Sequence, residues 1–92
     1  MNEQEKLILQ GMYAAGFRYI VREKQTLLFS DEKFIKTAPG TLYKWDLPIE
    51  SYGRIDDLGG KADKLFDWIK DTDEEPVEIS KALNESSDNL SN

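Results

Sequence analysis

The chain has 92 residues, a net charge of −6, no cysteine and no histidine. These absences exclude disulfide bonds, thiolate zinc sites and any catalysis that depends on a histidine base. Residues 1–55 carry eight Lys or Arg and seven Asp or Glu, whereas residues 56–92 carry four and eleven. The negative charge therefore belongs to the C-terminal part, which should repel nucleic acid and be drawn to basic surfaces.

One domain with a single small core is expected at this length. Residues 1–6 lack the basic segment of a secretory signal, and no apolar run is long enough to span a membrane. We therefore expect a cytoplasmic protein without membrane association. The domain is expected to span residues 1–83, and residues 84–92 are expected to form a disordered polar tail because Ser and Asn dominate there.

The first predicted element is an amphipathic helix over residues 2–15, in which Ile8 and Met12 recur at helical spacing. Asn2 is its predicted N-cap, since an asparagine side chain can accept a hydrogen bond from a free backbone N–H in the first turn. Gly11 lies inside this helix, where glycine costs about 1 kcal/mol against alanine. We expect close packing of the helix against a sheet to explain that glycine.

Aromatic and β-branched residues, broken by short polar turns, dominate residues 17–45. This pattern is typical of an antiparallel meander of three to four strands. The strands are predicted at residues 17–22, 26–30, 34–37 and 41–45. In the first strand Phe17, Tyr19 and Val21 alternate with more polar residues and are expected to face the core. Residues 49–55 fit either a fourth short strand or an ordered loop.

Apolar residues at helical spacing predict a second helix that begins after Gly60, ends near Ile69 and packs on the sheet. An acidic linker follows, and Pro76 suits the first turn of a short C-terminal helix at residues 77–83, whose docking stays open. The predicted fold class is therefore α+β. The expected core consists of Ile8, Met12, Phe17, Tyr19, Val21, Leu27, Phe29, Leu65, Phe66 and Ile69.

Catalytic and metal-binding motifs are not found in the sequence. Asp71, Asp73 and Glu75 are spaced like the first ligands of a calcium loop, but Pro76 stands where such a loop needs glycine and Ala82 where it needs glutamate. A phosphate-binding loop and a dinucleotide fingerprint are also absent. We therefore expect no enzyme activity, no cofactor and no bound metal.

Cationic and aromatic side chains lie close together in the predicted meander, as they do in proteins that bind single-stranded nucleic acid. However, Arg18 and Tyr19 are sequence neighbours, as are Lys44 and Trp45, and neighbours in a strand point to opposite faces. That is what an ordinary amphipathic sheet shows. Direct nucleic-acid binding is therefore not expected.

The acidic half offers a partner-binding surface, and two functions are open for it. The first is docking on a protein partner through this half or through a sheet edge. The second is mimicry of a nucleic-acid backbone, which would inhibit a protein that handles DNA or RNA. Aromatic residues in this half could anchor such a complex. The candidate partner-binding residues are Tyr52, Asp56, Asp57, Asp63, Asp67, Trp68, Asp71, Asp73, Glu74 and Glu75.

A set of short motifs carries a resemblance to a protein family. The motifs are Met12-Tyr13 with Gly16, Arg18-Tyr19-Ile20 with Arg22, Leu28-Phe29, Lys33, Lys36, Trp45, Leu65-Phe66, Ile69, and Glu74-Glu75-Pro76 with Ile79. Over roughly residues 8–80 the chain resembles the small uncharacterised proteins of phages and prophages of low-GC Gram-positive bacteria. The resemblance implies an accessory protein that acts in the host cytoplasm and binds a host or phage protein.

Overall fold

The computed structural model describes residues 1–48, 55–57 and 64–90 and shows helices combined with small antiparallel sheets, which confirms the predicted α+β class. Helix α1 spans Glu3–Ala14 and helix α2 spans Ile79–Leu90. The strands are β1 (Tyr19–Glu23), β2 (Thr26–Ser30), β3 (Ile35–Lys36), β4 (Trp45–Asp46), β5 (Ile55–Asp57) and β6 (Val77–Glu78).

The strands form two sheets where the sequence predicts one meander. A four-stranded antiparallel sheet has the order β5-β2-β1-β6, and β3 pairs only with β4 in a separate two-stranded sheet. The β1–β2 and β3–β4 pairs both join consecutive antiparallel strands as the meander predicts, but among the described strands β2 pairs with β5 and not with β3. Strand β6 replaces the helical turn predicted at Pro76. Residues 49–54 lie outside the described part, and β5 covers the end of the segment for which strand and loop were both open.

Both faces of the β1–β2 hairpin are covered. Ile20, Leu27 and Phe29 belong to the main core, together with residues of both helices. Val21 points to the opposite face, where it packs in a second cluster with Phe34 and Trp45 of the β3–β4 hairpin. Val21 is buried as predicted, but in this second cluster and not in one core with Phe17, and Tyr19 is only partly buried against the same cluster. The two faces are both apolar, so the alternation of residues could not show which face the helices cover.

Helix α1 begins as predicted. Asn2 accepts a hydrogen bond from the Glu5 backbone N–H (2.8 Å), and the Glu5 side chain accepts one from the Asn2 N–H (3.0 Å). This reciprocal pair is a capping box, which satisfies two backbone donors that a helix start leaves free. The buried side chains of α1 are Glu5 and Leu9, whereas the predicted Ile8 and Met12 are only partly buried against the main core.

Gly11 does not pack against the sheet. It is exposed, and a Cβ atom added to it would meet no atom within 4 Å. The predicted explanation of this glycine is therefore wrong, because α1 turns a different side toward the core. The absence of a side chain at Gly11 therefore brings no packing advantage to the helix.

Gly11→Ala is expected to raise the free energy of unfolding by about 1 kcal/mol, since alanine restricts the unfolded chain and favours the helix. Urea unfolding followed by circular dichroism measures this. Gly40→Ala is the matched control: it also has open space around it, but its φ of 87° is one that alanine disfavours. We expect that variant to lose about 1 kcal/mol. A destabilised Gly11→Ala protein would contradict the observed orientation of α1.

Residues 64–70 form a series of turns, although the sequence predicts a helix there. Phe66 has a left-handed backbone (φ 54°), which a helix interior does not allow. The Arg22 guanidinium donates hydrogen bonds to the carbonyl oxygens of Leu65, Phe66 and Ile69, and Glu5 accepts one from the Phe66 N–H. These side chains supply the hydrogen bonds that a helix would have made internally. Phe66 and Ile69 are nevertheless buried in the main core, as predicted.

Helix α2 docks on the main core through Ile79 and Ala82, both buried, which answers the question that the sequence left open. It follows β6 directly, and the Ile79 N–H donates to the Arg18 carbonyl oxygen at 2.9 Å. The helix continues to Leu90, so residues 84–90 are helical where the sequence predicts a disordered tail. A helix start fixed by docking lets the polar residues that follow add turns at little entropic cost.

Candidate functional site

The predicted partner-binding residues are spread over several parts of the chain. Tyr52 and Asp63 lie outside the described residues. Asp56 and Asp57 form part of β5, at one edge of the four-stranded sheet. The remaining predicted residues lie between residues 67 and 75, where most of the described contacts of the acidic half are found.

Asp67 and Trp68 lie in an exposed turn beside the main core. The Trp68 ring contacts the Phe66 ring edge to face, with the ring centroids 6.0 Å apart, and keeps 38% of its surface exposed. Asp67 is exposed at the same turn. The turn therefore presents one aromatic edge and one carboxylate to solvent, held in place by the burial of Phe66.

The acidic segment, residues 71–75, lies against the β3–β4 hairpin. Lys44 of the hairpin donates from its Nζ to the carbonyl oxygens of Asp71 (2.7 Å) and Asp73 (2.6 Å). The same ammonium lies 5.3 Å from the centre of the Trp45 ring, within the range of a cation–π interaction. Lys44 thus binds the backbone of the segment and leaves the two aspartate carboxylates unneutralised by direct contact with it.

Two further lysines near β3 bind the carboxylates of the same segment. Lys36 forms an ion pair with Glu74, and Lys33 forms a longer one with Glu75 (3.7 Å). Together with Lys44 they are called the hairpin lysines here. Two of the segment's four carboxylates therefore have a lysine partner, and a third lysine binds the segment's backbone. The acidic segment is not the free linker that the sequence predicts.

The lysine contacts of the acidic segment weaken the case for mimicry of a nucleic acid. A mimic acts through a row of carboxylates that a basic protein can reach. Glu74 and Glu75 already have lysine partners, and Asp73 accepts a hydrogen bond from the Lys70 N–H at 3.0 Å. The described part of the acidic half thus offers fewer free carboxylates than its sequence indicates.

The aromatic residues of the meander do not form a stacking surface for nucleic-acid bases. Phe34 and Trp45 are buried in the second cluster, with 2% and 5% of their surface exposed. The Arg22 guanidinium is bound to backbone carbonyls, and Arg18 lies over the Tyr13 ring, 4.0 Å from its centre. These groups stabilise the fold.

The free edges of the four-stranded sheet are short. In the described residues, strand β6 pairs with Tyr19 and Ile20 of β1 and is itself two residues long. In the separate two-stranded sheet, the N–H groups of Trp45 in β4 and of Lys44 just before it donate to the Glu23 carboxylate, at 3.0 and 2.6 Å. Short or covered edges give little room for an added strand from a partner. The predicted sheet-edge docking therefore finds little support in the described residues.

Among the residues that the structure describes, the two most exposed large apolar side chains are neighbours in the loop between β3 and β4. Leu42 and Tyr43 are 80% and 65% exposed. The Thr37 N–H donates to the Lys44 carbonyl (2.9 Å), and the Thr41 hydroxyl donates to the Ala38 carbonyl (2.6 Å). Gly40 adopts the left-handed conformation that the turn needs (φ 87°). The loop is therefore ordered by its own hydrogen bonds while it presents Leu42 and Tyr43 to solvent.

The sequence analysis missed this loop and the hairpin lysines. It placed Leu42 and Tyr43 in a strand because of their β propensity, although Gly40 and the polar Thr41 also suit a longer loop. The hairpin lysines are visible in the sequence as cations, but their pairing with residues 71–75 is not, because those partners are distant in sequence.

An open cleft of about 280 Å³ lies beside the acidic segment. Its lining mixes cations, carboxylates and one phenol, namely Tyr19, Lys33, Glu75, Pro76, Glu78 and Lys81. Within the described residues, no group of three or more acidic side chains is placed to hold a metal ion.

We find no match to this chain among protein-family models, curated proteins or solved structures. In the described part of the chain, neither helix is both long and apolar enough to cross a membrane.

Proposed function

We propose that the chain is a non-enzymatic accessory protein of phage type that binds another protein, of the host or the phage, in the cytoplasm. The observation that carries this proposal is the ordered loop with Leu42 and Tyr43 exposed side by side. Two neighbouring exposed apolar side chains on an ordered loop suit contact with a partner, and tyrosine is among the residues that dominate protein interfaces.

The order of the loop strengthens the proposal. Four residues of the loop are linked by hydrogen bonds: Thr37 to Lys44, and Thr41 to Ala38. A surface that is already in its bound conformation loses less entropy on association, so a small apolar contact area gives more affinity. This loop supports protein binding better than the acidic segment does, because the acidic segment is engaged within the chain.

The test is affinity capture from a lysate of a Gram-positive host with the wild type, a Leu42→Ser/Tyr43→Ser variant and a Leu7→Ser control. Leu7 is 60% exposed on α1, away from the loop. We expect the wild type and Leu7→Ser to retain the same stoichiometric protein at high salt, because an apolar contact is little screened. The loop variant should lose at least about thirtyfold in affinity for it, as a hot-spot pair does.

Two results would contradict this assignment. A partner retained equally by the loop variant would show that the loop is not the contact. A DNA- or RNA-handling partner that dissociates at high salt, and that is lost when Asp71, Asp73, Glu74 and Glu75 are neutralised, would favour the acidic mimic instead.

A further inference from the structure

The hairpin lysines bind the acidic segment of the same chain much as a protein binds a peptide. Lys44 contacts two backbone carbonyls of the segment, while Lys36 and Lys33 contact the Glu74 and Glu75 carboxylates. The hairpin thus contacts both the backbone and the side chains of residues 71–75. These residues form turns and bends, outside any helix or strand.

The chemistry of these contacts indicates what else could occupy the lysines. Backbone carbonyls that alternate with carboxylates are a feature of acidic peptides. A nucleic acid offers phosphates but no peptide carbonyls for Lys44 to bind at 2.6–2.7 Å. The aromatic rings that would stack on bases are buried at Phe34 and Trp45. The geometry therefore favours a peptide over a nucleic acid.

The two ion pairs that hold the side chains of the acidic segment are weak enough for exchange. The side chains of the two ion pairs are between 48% and 78% exposed, and pairs this exposed contribute little because water and salt screen them. The segment is anchored on both sides by buried residues, Ile69 before it and Ile79 after it. Residues 70–76 could therefore lift from the hairpin without unfolding the main core.

We propose that the hairpin lysines are a binding surface for an acidic peptide of a partner protein, and that residues 71–75 occupy this surface as an internal competitor. A partner peptide with carboxylates at similar spacing displaces the segment and takes over the contacts to Lys33, Lys36 and Lys44. The acidic segment thereby sets the affinity that a partner peptide needs, because only a peptide that binds the lysines more tightly than the segment does can displace it. This surface goes beyond the proposed function, since it does not use Leu42 or Tyr43 and can fail independently.

The test uses a fluorescent peptide with the sequence of residues 71–76 and measures its binding by anisotropy at low ionic strength. In a Glu74→Gln/Glu75→Gln variant the two lysines lose their internal partners. We expect this variant to bind the peptide about five- to thirtyfold more tightly than the wild type, as expected from the loss of two exposed ion pairs. The gain should disappear near 1 M salt, where the Debye length is about 3 Å.

A charge-matched control separates release of the lysines from a change in net charge. Asp67→Asn/Glu85→Gln removes two exposed carboxylates that make no described contact with the hairpin lysines. It should bind the peptide as the wild type does. Adding Lys33→Gln and Lys36→Gln to the Glu74→Gln/Glu75→Gln variant should abolish the gain. Thermal unfolding and an amide NMR spectrum first establish that each variant folds as the wild type does.

Three outcomes would overturn the proposal. Equal peptide binding by the wild type and the Glu74→Gln/Glu75→Gln variant would show that the segment does not compete. An equal gain in peptide affinity in the Asp67→Asn/Glu85→Gln control would show that the gain comes from the change in net charge alone. A single-stranded oligonucleotide that binds the released lysines more tightly than the peptide would assign the surface to phosphates. None of these results depends on Leu42 or Tyr43, so the proposed function is tested separately.

Discussion

Replacing Phe66 with alanine is expected to lower the free energy of unfolding by about 4 kcal/mol, the usual loss for a buried phenylalanine. Phe66 is fully buried in the main core, although its segment has no regular secondary structure. Its ring therefore holds residues 64–70 against the main core, together with Ile69 and the hydrogen bonds from Arg22 and Glu5. Urea unfolding monitored by tryptophan fluorescence and by circular dichroism measures the change.

Two further variants test how Phe66 acts. Trp68→Ala removes a larger but partly exposed ring from the same turn and should cost only about 1 kcal/mol, the worth of one aromatic contact. Phe66→Gly should be no less stable than Phe66→Ala, because glycine adopts the left-handed φ of 54° without strain and alanine does not. Equal losses for Trp68→Ala and Phe66→Ala would contradict the observed burial.

The sequence predicted those features that depend on neighbours along the chain. The Asn2 cap, the β1–β2 hairpin and the burial of Phe66 and Ile69 are examples. A capping box needs residues three positions apart, and a hairpin needs two short strands with a turn between them. Apolar side chains are buried whichever backbone carries them, so the main core was largely predicted even where its helix was not.

The sequence could not predict features that depend on distant residues. Arg22 lies 43 to 47 positions from the carbonyls that it binds, and those hydrogen bonds decide between turns and a helix at residues 64–70. The helical spacing of Leu65 and Ile69 favours a helix, but the hydrogen bonds from Arg22 override that local preference. The prediction of which β1 residues face the helices was wrong for a related reason. The β3–β4 hairpin covers the other face of the sheet, so that face is apolar as well.

The candidate site shows the same division. The acidic residues at positions 71, 73, 74 and 75 were predicted as a surface because charge is visible in composition. Their lysine partners are distant in sequence: Lys44 lies 27 positions from Asp71, and Lys36 lies 38 positions from Glu74. The sequence therefore indicated a charged surface, and only the structure shows that the hairpin occupies it.

Both proposals place function on the β3–β4 hairpin. Its loop exposes Leu42 and Tyr43, and its lysines hold the acidic segment. The hairpin is fixed to the domain by Phe34 and Trp45, whose rings meet edge to face at a centroid distance of 6.5 Å. A rigid support of this kind keeps a binding loop in position. The hairpin is thus a separate layer on the side of the sheet opposite the helices.

Arg22→Met is expected to lower the free energy of unfolding by about 3 kcal/mol, because three partly buried carbonyl groups lose a charged donor. The hydrogen bonds run from Nε to the Ile69 carbonyl (2.6 Å) and from one Nη to those of Leu65 (2.7 Å) and Phe66 (3.0 Å). Arg22→Lys should recover less than half of the loss, since one ammonium cannot reproduce the planar fork. Lys24→Met removes a neighbouring, exposed cation and should change stability by less than about 0.5 kcal/mol.

A double-mutant cycle with Phe66→Ala shows how Arg22 stabilises the fold. If Arg22 acts by holding the backbone that places the Phe66 ring in the core, its loss should cost less once that ring is gone. We expect a coupling free energy of at least about 1 kcal/mol, as for residues that share one network. Amide exchange at Ile69, whose N–H donates to the Phe66 carbonyl at 2.8 Å, should accelerate in Arg22→Met before the β1–β2 hairpin opens. Additive losses, with Ile69 exchanging only on global unfolding, would show that Arg22 stabilises the domain without positioning this segment.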